Sequence, residues 1–184
     1  DPGDSKEMVA ARQRFLNAGF YKEIAEALSD LALEALPVEE IGSVLDAGSG
    51  EGYYLRHLSA RAGDNSLALI GVDISKWAVL AAAKQDKRTR WAVGSNANLP
   101  ILPESLDLVL CLFGFPVYSE FARVLKPGGK VIQVDTGADH LRELREIIYP
   151  ELKPPADTEI VETLLGGCCP EVSFYPHTGV SPVV

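Results

Sequence analysis

Cysteine is scarce: Cys111, Cys168 and Cys169 are the only three in 184 residues. No pair forms C-x-x-C, and adjacent cysteines rarely bridge each other. A disulfide scaffold and a cysteine-ligated metal site are therefore set aside, no zinc is expected, and a reducing, cytoplasmic setting is expected. Long apolar runs are also missing. None reaches the ~20 residues of a membrane span, so no membrane partner is expected, and no secretory leader is visible. Positive charge is in deficit, with 17 Lys+Arg against 26 Asp+Glu and a net charge of −9. Such a chain gains nothing by itself from a phosphate backbone. A nucleic-acid substrate would need local basic clusters or affinity from another domain. Repeats and low-complexity tracts are absent. The first residue is Asp, not Met, as expected of a fragment or a processed chain.

What is present is ordinary for one globular domain: 47% hydrophobic and 23% charged residues, with length enough for a single core. The informative stretch is Val44-Leu45-Asp46-Ala47-Gly48-Ser49-Gly50-Glu51-Gly52-Tyr53-Tyr54. An apolar run ending in an acid reads as a buried parallel strand. Three glycines at alternate positions follow, then a helical pattern over 53–62. A second buried strand, 67–72, ends at Asp73, 21 positions after Gly52. That gap matches the ~20 residues expected before an acid that hydrogen-bonds a ribose. The glycines run G-x-G-x-G, whereas a pyrophosphate wants G-x-G-x-x-G. Asp46 would repel a phosphate and suits an ammonium. A nucleoside with an amino-acid tail and no phosphate, S-adenosylmethionine, satisfies both acids.

Ahead of this unit the pattern predicts two helices. The first runs from an Asp4 or Ser5 cap to about Ala18, with Met8, Ala11, Phe15 and Leu16 facing inward. The second covers 21–36 and is closed by Pro37. Residues 1–42 read as a helical cap on a cofactor-binding domain spanning 43–184. After Asp73 come a helix over 75–84 capped by Ser75, a strand at 90–93, a loop over 94–104, a strand at 106–112 and a short helix at 119–125. A Lys126-Pro127-Gly128-Gly129 turn, a strand at 130–134 and a helix over 140–148 complete the readable pattern. Beyond Tyr149, Thr158–Leu165 reads as either a strand or a helix, and Val172–Tyr175 as a strand. Alternating strands and helices imply an α/β fold: a Rossmann-like, doubly wound, mostly parallel sheet, with its last strands in doubt. The ligand should lie at the carboxyl ends of the strands. Asp46, Gly48, Gly50, Glu51, Gly52, Asp73, Ile74, Ser95 and Asn96 then surround one cleft.

LDAGSGEG, VDIS, SNANLP and LKPGG in this order resemble the class I S-adenosylmethionine-dependent methyltransferases. DPGDSKEMVAARQRFLNAGFY, GSGEGYY and HLRELREIIYPE narrow the resemblance, over residues 1 to about 155, to the 23S rRNA guanine-N1 methyltransferases. The resemblance implies that Tyr21, Gly50, Glu51 and His140 touch the cofactor and that 23S rRNA is the partner. The family's zinc ribbon precedes the DPGDS segment and is not in this chain. Phe20 stands where the family usually has histidine, and the tail from Gly166 departs from the family pattern. Association as a homodimer is left open.

Methylation at guanine N1 removes a proton, so an acceptor near the strand ends would help. Asp135 and His140 are the candidates, with Asp139 and Tyr118 beside them. Phe113 and Phe115 could stack on a flipped base or simply pack in the core. Asp46 could instead satisfy loop N–H groups, Asp73 could be an ordinary strand-end acid, and Glu51 could be a surface residue. Two further readings share the fold: a methyltransferase of small molecules, and a cofactor-binding protein without activity.

Overall fold

Gly42–Ala47 forms β1, Leu67–Asp73 β2, Arg90–Val93 β3, Leu106–Leu112 β4, Leu125–Val134 β5 and Val172–Ser173 β6. They build one sheet in the order β3-β2-β1-β4-β5-β6, and every pairing is parallel. The computed structural model describes residues 2–37, 40–63, 67–136 and 172–173. From β1 the chain steps outward through β2 to β3, then returns to place β4 on the other side of β1. The strand order reverses there, and ligands of open α/β sheets bind at such a point.

The central strands alternate faces, as the two-residue period of a strand requires. Val44, Leu108, Leu110 and Ile132 enter one core cluster with Leu55 and Leu58. Leu45, Val109, Cys111 and Val131 enter the other with Phe121 and Val124. Each such side chain contributes roughly 1.5–3 kcal/mol on full burial. Burial on both faces is why Val44–Ala47 of β1 and Leu108–Leu112 of β4 are apolar except at Asp46.

The helices are α1 (Lys6–Asn17), α2 (Lys22–Ala35), α3 (Tyr53–Ala62), α4 (Lys76–Gln85) and α5 (Tyr118–Val124). Ser5 caps α1, its Oγ accepting the Met8 N–H at 3.3 Å. The buried face of α1 is Val9 and Leu16; Met8 and Phe15 are exposed, contrary to the expected face. Helix α2 lies on α3, with Ala25, Leu28 and Ala32 in the same core cluster as Leu55. Arg61 Nε adds a 2.7 Å hydrogen bond to Asp30 Oδ1 between these helices.

The expected turn at 126–129 is instead an irregularity inside β5. Leu106 pairs with Leu125 but Leu108 with Lys130, so five residues advance opposite two. Gly128, at φ +80°, absorbs the excess. The expected helix at 140–148 lies outside the described residues, as does most of the segment after Tyr149.

Candidate active site

The turn after β1 is locked to the end of β2. Gly48 N–H and Ser49 N–H both donate to the Val72 carbonyl, at 2.8 and 3.0 Å. Its glycines differ in purpose. Gly48 (φ +100°) and Gly50 (φ +54°) adopt conformations that disfavour a side chain, and a Cβ on either would meet nothing within 4 Å. They leave a bare backbone facing open space, which a ligand can approach. Gly52 (φ +80°) is a packing requirement: its Cβ would stand 2.4 Å from the Trp91 ring. Trp91 is held over it by a 3.0 Å hydrogen bond from Nε1 to the Asp86 carbonyl.

Asp73 organises the floor. Its Oδ2 accepts the Gly50 N–H at 2.8 Å and its Oδ1 the Ser75 N–H at 2.7 Å. Each oxygen keeps a second lone pair for a hydroxyl donor. Ser75 in turn caps α4 through the Ala78 N–H at 3.3 Å and donates its hydroxyl to the Asp4 carbonyl at 2.7 Å. The amino-terminal segment is thereby laid across the end of β2, where Arg12 forms an ion pair with Asp4.

Asp46 is different. It is wholly buried, and neither carboxylate oxygen has a hydrogen-bond partner among the described residues. Burial first, and the charge of Asp73 second, push its pKa up to about 8. The Ser49 hydroxyl behind the turn is likewise buried without a partner. Two orphaned polar groups beside an open glycine backbone suit a polar, positively charged ligand better than a phosphate.

A cleft of about 710 Å³ opens over this turn, within the range of ligand sites. Of the expected residues, Tyr21, Gly48, Gly50, Glu51, Asp73, Ile74, Ser95 and Asn96 line it. Asp46 and Gly52 stand behind the wall. Asn96 Nδ2 donates to the Phe115 carbonyl at 3.0 Å and the Ala47 carbonyl at 3.3 Å, tying the loop after β3 to β1 and to the loop after β4. Glu51 is neither a surface residue nor a free carboxylate. Its side chain is 1% exposed, gripped by Arg56 Nη2 at 2.9 Å and by Gln85 Nε2 at 2.5 Å. That network fixes the turn to α3 and α4.

At the ends of β4 and β5, the Tyr118 hydroxyl donates to Gln133 Oε1 at 2.8 Å, and Gln133 Nε2 donates to Asp135 Oδ2. Asp135 is exposed. The other expected catalytic residue, His140, lies outside the described residues. Phe113 holds a left-handed φ of +54°, a strain of order 1–3 kcal/mol for a bulky residue, with its N–H donated to the Val134 carbonyl at 2.8 Å. Arg12, Phe15 and Thr136 line the cleft without having been expected there. The first two belong to the DPGDSKEMVAARQRFLN segment, whose charge and aromatic pattern alone gives no sign of a ligand. Among the described residues, no three His, Cys, Asp or Glu side chains gather as for a metal ion, and no helix is long and apolar enough to cross a membrane.

Residues 44–129 match the family model described as a methyltransferase domain. The chain is 34% identical over 148 residues to YxjB of Bacillus subtilis, provisionally named a 23S rRNA (guanine-N(1)-)-methyltransferase; the match covers 79% of this chain and 52% of that one. It is 33% identical over 142 residues to the 23S rRNA (guanine(748)-N(1))-methyltransferase of Streptomyces fradiae, covering 77% and 50%. Malonyl-[acyl-carrier protein] O-methyltransferase 1 of Coxiella burnetii is 30% identical over 148 residues, covering 76% and 49%. The chain thus spans about half the length of these relatives. The fold is shared with a Methanococcus maripaludis structure, provisionally described as an S-adenosyl-L-methionine-dependent methyltransferase, at a TM-score of 0.61 and 21% identity, covering 80% of this chain and 71% of that one. The chain thus carries a methyltransferase domain over residues 44–129, and the reversal at β1 and the open glycine turn are those of the class I S-adenosylmethionine-dependent methyltransferase fold.

Proposed function

We propose that this chain is the catalytic part of an enzyme that methylates N1 of a guanine in 23S rRNA, and that it acts in the cytoplasm. The observation that carries the substrate is the 34% identity over 79% of the chain to a relative named for that reaction. When bound, S-adenosylmethionine supplies a methyl group made electrophilic by the sulfonium. Asp73 accepts ribose hydroxyls while its other lone pairs keep Gly50 and Ser75 in place. Gly48 and Gly50 let the ligand lie against the backbone, and Gly52 holds the turn through Trp91. Ile74, Ser95 and Asn96 bound the base end of the ligand. Tyr21 and the helices that carry it exclude water. Asp46 attracts the amino-acid ammonium, since a nearby cation favours its ionised form. Glu51 acts from behind the turn, with its main chain at the cleft and its carboxylate on Arg56.

Removing the N1 proton falls to Asp135, oriented by Gln133 and Tyr118, with His140 given a cofactor contact by the family resemblance alone. The test is incubation of the protein with S-adenosylmethionine and unmodified 23S rRNA, followed by nucleoside mass spectrometry. The expected product is 1-methylguanosine; methylation at any other position, or none by a chain that binds the cofactor, contradicts the proposal. The net charge of −9 and the likeness to the acyl-carrier-protein methyltransferase favour a second reading, a small-molecule acceptor. In that case the protein would show no affinity for rRNA hairpins at any salt concentration.

A further inference from the structure

The cations of this acidic chain are unevenly placed. Arg12, Lys22, Arg56, Arg61, Arg123 and Lys126 each meet a carboxylate. Lys84, Lys87, Arg88 and Arg90, four cations within seven positions, form no ion pair among the described residues. All four are exposed. The one acid between them, Asp86, turns inward. It is buried, its Oδ1 accepts the Arg88 N–H at 2.8 Å and its Oδ2 accepts the Thr89 hydroxyl at 2.5 Å. A chain of net charge −9 thereby presents a local excess of positive charge at one edge.

Local duties explain each cation singly but not the group. Lys84 and Lys87 sit at the carboxyl end of α4, where positive charge suits the helix dipole, and Lys87 Nζ donates to the Ala83 carbonyl. Arg90 lies on β3, the edge strand, where charge discourages pairing with another chain. Arg88 Nη2 donates to Ser59 Oγ on α3 at 3.1 Å. All these partners are neutral, so the four charges stay uncompensated and repel one another until an anion arrives. The edge is continuous with the cleft. Gly94 and Ser95, directly after β3, line it, and Arg90 stands at the far end of that strand, roughly 10 Å away at ~3.3 Å per residue. About three nucleotides of one strand cover that distance at ~3.4 Å each. We propose that Lys84, Lys87, Arg88 and Arg90 form a docking edge for the phosphate backbone of the RNA substrate, a few nucleotides from the base held in the cleft. The inference rests on the proposed guanine-methylating function and adds the surface that gives an acidic chain its hold on RNA.

The probe is an end-labelled 23S rRNA hairpin, titrated into the whole chain at ~50 and ~200 mM salt. Each neutralised phosphate contributes ~0.7–0.9 to the slope of log affinity against log salt. Replacing all four cations by glutamine should flatten that slope by about 3, so the wild type loses about fiftyfold more affinity than the variant between the two salts. Lys84→Gln and Arg90→Gln, made singly in case the fourfold variant does not fold, should each flatten it by ~0.7–0.9. Exchanging the cations (Lys84→Arg, Lys87→Arg, Arg88→Lys, Arg90→Lys) should keep the slope. S-adenosylhomocysteine affinity should stay within about twofold throughout, because none of the four lines the cleft. A slope unchanged by glutamine, a slope lost on exchange, or no hairpin binding by the wild type would each overturn the docking edge. Binding to phosphatidylglycerol vesicles that needs these cations, with the hairpin slope unaffected by them, would assign the edge to a membrane and overturn it too. Nucleoside mass spectrometry separates the two levels. Equal 1-methylguanosine formation by the wild type and the glutamine variant at limiting RNA overturns the edge and leaves the function standing. Cation-dependent hairpin binding without 1-methylguanosine overturns the function and leaves the edge standing.

Discussion

Asp46 and Asp73 end adjacent strands and look interchangeable in sequence, yet their surroundings are opposite. Asp73 lies on the cleft wall with two backbone N–H groups on its carboxylate. Asp46 pairs in register with Gly71 on one side and Leu110 on the other, sealed from water and without a hydrogen-bond donor. Position along a strand sets how deep an acid lies, and depth decides its work. An acid at the mouth can touch a ligand directly. One a layer deeper acts by its charge, and holds a proton until something positive arrives.

The largest effect expected from breaking this contrast is at Asp73. Asp73→Ala removes a ligand acceptor and the anchor of Gly50, so S-adenosylhomocysteine affinity should fall by about a hundredfold or more, from the ~1.5–3 kcal/mol of a charged hydrogen bond plus the loosened turn. Calorimetry measures it, with circular dichroism to show that the variant stays folded. Next is the glycine pair. Gly52→Ala drives a Cβ into Trp91 at an unfavourable φ and should cost about 3 kcal/mol in urea unfolding. Gly50→Ala meets no atom and should cost about 1 kcal/mol, the left-handed penalty alone.

Asp46→Asn should act in the opposite sense. The folded chain keeps the Asp46 proton up to about pH 8, while the unfolded chain releases it near pH ~4. Between those values the native state binds the extra proton, so stability falls as pH rises. Asparagine cannot ionise, so the ligand-free variant should gain stability over the wild type as pH rises from about 4 to about 8, by at most about 1.4 kcal/mol per pH unit, and gain nothing at pH ~4. Thermal melts at the two pH values check both the size and the sign. The smallest effect belongs to Ser75→Ala. Losing the α4 cap and the bond to Asp4 should cost about 1 kcal/mol and leave cofactor affinity within twofold, because Asp73 is held by the Ser75 N–H and not its hydroxyl.

Much of this site was legible because its signals are local. The Ser75 cap, the strand ending in Asp73 and the apolar run of β4 each follow from a few neighbouring residues, and the observed elements match them within a residue or two. What stayed hidden depends on partners distant in sequence. Glu51 reads as a surface or ligand acid until Arg56 and Gln85 are seen around it. Phe15 reads as core because α1 has several apolar positions, and only its packing shows Val9 to be buried beside Leu16. The Lys126–Gly129 segment carries turn residues, yet continued pairing with β4 makes it a strand irregularity. Nothing in the glycine spacing separates Gly52, which serves Trp91, from Gly48 and Gly50, which face the cleft.

The most direct measurement is a side-by-side calorimetric titration of the wild type, Asp73→Ala and Asp46→Asn with S-adenosylhomocysteine at pH 7. Binding by the wild type, lost in Asp73→Ala and weakened less than about tenfold in Asp46→Asn, is the predicted result for a ligand that touches the mouth acid and only senses the buried one. Equal binding by Asp73→Ala and the wild type, or a larger loss at Asp46 than at Asp73, would contradict it.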